Sequence, residues 1–156
     1  MTVRANKPAF SIREKLKELD GKQDKLLNRP AFSCASSGTY TPTTGSQNLA
    51  SFCGTIVNFD YGGNLTNGRF TAPWSGLYHF DLKFSCTYSS GYLYSYVFKN
   101  GGGIPNVRVQ YFQTSNTCTL SFRVYANAGD YFEPYIDNNY AGGTISQALF
   151  EGHYIG

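Results

Sequence analysis

From residue 30 onward the sequence predicts an all-β, two-sheet antiparallel sandwich, and three observations carry that expectation. Aromatic residues make up 17% of the 156-residue chain and charged residues only 15%, with 13 Tyr and 17 Gly, a composition suited to pleated sheets and tight turns. Phe80-Asp81-Leu82-Lys83-Phe84-Ser85-Cys86 alternates apolar with polar, as a strand does when one face meets a core and the other meets water. Runs of this kind recur at close spacing, separated by Asn67-Gly68, Asn100-Gly101 and Gly129-Asp130, which supply the positive φ that turns require.

The expected strands are Ala31–Cys34, Ile56–Tyr61, Gly68–Thr71, Gly76–Cys86, Tyr92–Lys99, Val107–Gln113, Cys118–Ala126, Tyr131–Asp137 and Ser146–Tyr154. Ahead of them, Ile12, Leu16, Leu19, Gln23 and Leu26 recur at steps of four, three, four and three, a heptad seam on a helix from Ser11 to Leu27. Ser11 and Glu14 fit a capping box that marks the start. Gly21 costs about 1 kcal/mol against Ala, so the helix either stops there or draws support from a neighbour. That neighbour is the chain's own head, a second copy or a docking partner. The organisation is then an arm and short stem helix over 1–29 and a head over 30–156. Asn6-Lys7-Pro8-Ala9-Phe10-Ser11 is nearly repeated as Asn28-Arg29-Pro30-Ala31-Phe32-Ser33, and only the second copy leads into strands. The first copy reads as an extended arm. Phe10, Ile12, Leu16, Leu19 and Leu26 are the candidate stem or docking residues.

The formal net charge of +3 belongs to the tail: residues 1–29 hold eight Lys/Arg against four Asp/Glu, and the remainder holds five against six. A head without a basic field does not gather phosphates, which argues against nucleic acid as its partner. No run is long enough to span a bilayer as a helix, so no membrane insertion is expected. The opening residues lack the apolar stretch of a secretory signal. Two starting points therefore stay open, a cleaved export signal or a product that begins at Met1 and assembles inside a cell.

Catalytic chemistry is hard to find. His79 and His153 stand alone in the sequence, and Asp60, Asp81, Asp130, Glu133, Asp137 and Glu151 are dispersed, with no pair spaced for acid–base work. The chain is expected to be no enzyme. Cys34, Cys53, Cys86 and Cys118 lack the paired spacing of a zinc ribbon, and no metal or cofactor is expected. Asp137-Asn138-Asn139 has the oxygen ligands calcium uses, but turns favour the same residues. Alternation points Cys86 and Cys118 at the core as small apolar groups. An aromatic group, Tyr88, Tyr92, Tyr94, Tyr96 and Tyr111, gathers around one hairpin with Phe98 and Phe112, and supplies candidate surface contacts.

Several motifs carry a resemblance. Pro30-Ala31-Phe32-Ser33 followed by Ile56-Val57-Asn58-Phe59-Asp60 resembles the opening strands of the C1q globular head, and Gly68-Arg69-Phe70-Thr71-Ala72-Pro73 leading to Gly76-Leu77-Tyr78-His79-Phe80 resembles that family's central turn. Phe98-Lys99-Asn100-Gly101, Ala128-Gly129-Asp130-Tyr131-Phe132 and Phe150-Glu151-Gly152-His153-Tyr154-Ile155 follow in the family's order, so the resemblance covers about four-fifths of the chain. The resemblance, to the C1q and tumour-necrosis-factor type with a phage or viral member in view, implies a ten-strand jelly roll. It implies a compact homotrimer with both termini near one end. It also places the strands of Cys86 and Cys118 side by side, with a disulfide or contacting thiol pair between them. A collagen-like Gly-X-Y stalk is missing, and residues 35–52 are richer in Thr, Ser and Gly than a typical head.

Two functions follow as expectations. One is a trimeric, non-enzymatic structural or attachment module of a virus particle, such as a capsid decoration (cement) protein or a tail-fibre protein. It would dock through residues 1–29 on capsid or tail proteins and reside in the virion. The other is a secreted, extracellular recognition protein of lectin type that binds glycans, microbes or a host surface.

Overall fold

Two antiparallel sheets form between Ala31 and Tyr154 in the computed structural model, which describes residues 12–87, 91–112, 117–139 and 143–156, without the side chains of 24–27 and 111–112. Helix α1 (Ile12–Leu27) comes first and passes through Gly21 without a break. Glu18 and Lys22, 2.6 Å apart and one turn from each other, span that glycine in the favourable order, acid before base. Phe10 and Ser11 of the expected arm and capping box lie outside the described residues.

The head then runs β1 (Ala31–Ala35), β2 (Gly45–Asn48), the single turn α2 (Ala50–Cys53), β3 (Ile56–Tyr61), β4 (Leu65–Thr66), β5 (Arg69–Thr71), β6 (Gly76–Thr87), β7 (Tyr92–Lys99), β8 (Gly102–Phe112), β9 (Thr117–Ala126), β10 (Tyr131–Asn138) and β11 (Thr144–Tyr154). One sheet is ordered β3-β1-β11-β6-β9 and the other β4-β5-β10-β7-β8, with β2 also pairing β10. Most sheet neighbours are distant in sequence, so the chain crosses repeatedly between layers, which is the jelly-roll topology. All nine expected strands are present. Strand β8 begins at Gly102, five residues before the expected Val107. Strands β2 and β4 and the turn α2 were not expected: Gly45-Ser46-Gln47-Asn48 has no apolar residue to alternate, and it becomes a strand only because β10 offers it an edge.

Turn chemistry sits where expected. Asn67 and Gly68 (φ 49° and 74°) join β4 to β5, and Asn100 and Gly101 (φ 54° and 79°) join β7 to β8. The amide of Tyr154 donates to the Pro30 carbonyl at 2.9 Å, which holds the start of the head beside its end.

The core is a set of phenyl rings shared between the layers. Phe32, Phe80 and Phe150 come from the first sheet, Phe70 and Phe132 from the second, and all are fully buried. Phe32 stacks on Phe70 at 4.6 Å, Phe80 meets Phe132 at 4.5 Å, and Phe150 meets Phe32 edge-on at 4.9 Å. Each such pair adds about 0.5–1.5 kcal/mol beyond the area it buries.

Cys86 and Cys118 both lie in the core, as alternation predicts, and their strands are antiparallel neighbours, as the resemblance implies. The disulfide does not form, because all four cysteines are free. Strand register explains this: Cys118 stands opposite Phe84, and its thiol donates to Ser95 Oγ at 3.3 Å across the layer gap. Burial, aided by Glu151 and Asp60, pushes the Cys34 thiol up to about 12, and burial raises Cys53 and Cys86 as well. Since the thiolate is the reactive form, a thiol reagent should leave the native chain unlabelled and titrate four groups after denaturation in guanidinium chloride. Fewer than four in the denatured, unreduced chain would mean that a disulfide exists.

Candidate assembly surface

The first sheet turns its second face away from the core, and that face is not finished as a water-facing surface would be. Register builds it in rows. Tyr61, Ala31, His153, His79 and Arg123 form one row across β3, β1, β11, β6 and β9, and Phe59, Ser33, Glu151, Asp81 and Ser121 form the next. Aromatic rings stand at both edges: Phe59 and Tyr61 are 40% and 64% exposed with their rings 5.3 Å apart, and Tyr125 on β9 is 59% exposed. Ile56 and Val57 on the β3 edge are exposed too. Edge strands that present apolar side chains invite pairing or covering by another chain.

Between these edges lies a polar cluster. His79 Nε2 is 3.0 Å from Asp81 Oδ2 and 3.4 Å from Ser121 Oγ, and the His79 and His153 rings are 5.3 Å apart. His79 Nδ1 is buried without a hydrogen-bond partner among the described residues. A buried polar atom left this way costs free energy that a further partner could recover. The sequence gives these groups no visible relation, since His79 and His153 are 74 positions apart. Asp81 and Glu151, dispersed in the chain, are direct cross-strand partners here.

Burial holds His153 below the usual imidazole value, helped by His79 and Arg123 and opposed by Asp81. The folded chain therefore takes up this proton less readily than the unfolded chain. Stability is fully present above about pH 6.5 and declines as the pH falls through the folded value. Thermal melts at stepped pH should show this decline, and His153→Gln should flatten it; an unchanged slope in that variant would contradict the assignment.

The second sheet presents a different surface. On β7, burial of Leu93, Ser95 and Val97 sends Tyr92, Tyr94, Tyr96 and Phe98 to the outer face, with ring centroids 5.1, 6.0 and 6.2 Å apart along the strand. Of the expected aromatic contacts, Tyr92, Tyr94 and Tyr96 thus share one face. Tyr88 and the Tyr111 side chain lie outside the described residues. Asp137, Asn138 and Asn139 do not converge as a calcium loop: buried Asn138 donates to the Thr43 carbonyl at 3.3 Å, and Asn139 Oδ1 accepts from the Tyr92 amide at 2.6 Å. On α1, the seam residues Ile12, Leu16 and Leu19 are all exposed, Ile12 at 80%, and Leu26 falls among the undescribed side chains. No helix among the described residues is long and apolar enough to cross a membrane.

No family model matches the sequence, and no curated protein matches it. Solved structures do match. The globular domain of zebrafish complement 1qA protein aligns over 81% of this chain and 98% of its own, at 19% identity and a TM-score of 0.55. PRD1 vertex protein P5 aligns over 81% and 97%, at 17% identity and a TM-score of 0.62. Murine APRIL aligns over 80% and 98%, at 10% identity and a TM-score of 0.58. Identities this low speak for the fold alone, and the chain has the C1q/TNF-like jelly-roll fold.

Proposed function

We propose that the chain is a non-enzymatic, homotrimeric attachment module of a virus particle, in which three heads bury the β3-β1-β11-β6-β9 face and residues 1–29 dock on a larger protein assembly. The observation that carries this reading is the unfinished face itself, with exposed Phe59, Tyr61 and Tyr125 flanking a histidine pair in which the buried His79 Nδ1 has no hydrogen-bond partner among the described residues. A copy placed against it would cover the exposed rings and exclude water from the polar cluster between them. The exposed seam of α1 supports a stem in the same assembly, because two heptads of Ile and Leu hold together only against neighbours. Likeness to a vertex protein of phage PRD1 supports the virion as the setting.

Charge placed on the face tests the reading. Tyr61→Lys with Tyr125→Glu should convert a trimer into monomers in sedimentation velocity while leaving the far-ultraviolet circular dichroism of the head unchanged. An unchanged sedimentation coefficient would place the interface elsewhere. Removal of residues 1–29 should leave the head trimeric and abolish attachment; attachment that persists would assign docking to the head.

A further inference from the structure

The outer face of the second sheet carries a cleft whose shape comes from a break in strand register. Tyr96 pairs with Arg108 and Phe98 with Gly103, so the four residues from Ile104 to Val107 stand opposite Val97 alone. The surplus bulges outward, with Asn106 at φ 61°, and makes one wall of an open cleft of about 360 Å³. The cleft's other walls include Tyr96, Phe98, Arg108 and Asp137. Phe98 lies flat on Tyr135 at 3.9 Å, and the Arg108 guanidinium lies 5.2 Å from the centre of the Tyr94 ring.

We propose that this cleft binds a neutral oligosaccharide. A sugar ring presents C–H groups on its faces and hydroxyls at its rim. The negative faces of Tyr96 and Phe98 suit the former. Arg108, Asp137 and Asn106 supply donors and acceptors for adjacent hydroxyls, and a carboxylate can accept from two of them at once. The volume falls within the range of small-ligand sites. Outward residues of a strand repeat every ~6.6–6.8 Å, so Tyr94 and Tyr92 continue the aromatic track for further sugar units. An anionic ligand fits less well, because Arg108, the only cation among the described residues that line the cleft, shares it with the Asp137 carboxylate, and the head beyond residue 29 has one more acid than base. A protein partner would want a dry apolar centre, whereas these rings have charged or amide groups beside them. The proposal goes beyond the trimer reading, since each copy holds a whole cleft.

Saturation-transfer difference NMR on the full chain tests it, with chitotetraose, cellotetraose, maltotetraose and mannotetraose as probes and a proline tetrapeptide alongside. Transfer is expected from at least one sugar and not from the peptide. Tyr96→Ala and Asp137→Asn should each weaken it tenfold or more, and Gln147→Ala, at an exposed position of β11 in the opposite sheet, should leave it unchanged. Asp137→Asn conserves size and strand, so its effect is not one of folding. Transfer from no sugar, from the peptide instead, or undiminished in Asp137→Asn and Tyr96→Ala overturns the proposal. A monomer that binds sugar would refute the trimer and leave this site standing.

Discussion

Replacing Phe80 with Ala is expected to cost about 3–5 kcal/mol of folding free energy, read as a shift of the urea midpoint at fixed protein concentration. The size follows from position. Phe80 is fully buried at the centre of the ring cluster, with Phe32, Phe70, Phe122, Phe132 and Phe150 at centroid distances from 4.5 to 6.2 Å. These rings come from both sheets, so the cavity would open between the layers. Neighbours that are themselves wide, flat and held on strands cannot close it. A loss below about 1 kcal/mol would mean that the layers are not joined at this point.

Gly68→Ala should be nearly as damaging, at roughly 3 kcal/mol or more, for a reason that involves no cavity. Gly68 has φ +74°, and a Cβ there would lie 1.9 Å from the Ala50 carbonyl oxygen and 3.0 Å from the Gly54 amide nitrogen. Both are backbone atoms and neither can swing aside. The reciprocal contact is as tight, since a Cβ on Gly54 would lie 2.3 Å from the Gly68 nitrogen. The turn α2 and the β4–β5 hairpin therefore touch backbone to backbone. Gly63→Ala separates the two components of the cost: φ is +66° there as well, but the space is open. That variant should lose only the ~1–2 kcal/mol of a left-handed non-glycine residue. Equal losses at the two positions would contradict the close approach.

Much of this fold is legible in the sequence because its periods are local. The alternation in Phe80 to Cys86 names the inward face of β6 without reference to any partner. Asn67-Gly68 and Asn100-Gly101 mark their turns by conformational need, and the order of the C1q-like motifs supplies the topology. Relations set by register are not legible in this way. The row that joins His79 to His153, the pairing of Asp81 with Glu151 and the bulge opposite Val97 depend on how far each strand slides against its neighbour, and no single segment records that. The cysteine pair shows the limit most clearly. Parity assigns Cys86 and Cys118 to the right face and the C1q resemblance sets their strands side by side, yet a disulfide also needs the right rung, and Phe84 occupies it. The helix errs the other way. Gly21 suggests a stop, but one glycine is a modest cost that the turns on either side outweigh.

The proposal that three copies share the β3-β1-β11-β6-β9 face is tested most directly by the mass of the full-length chain under native conditions. A species of about 52 kDa, three times the 17.3 kDa chain, is expected. A single species at 17.3 kDa across the micromolar range would contradict it.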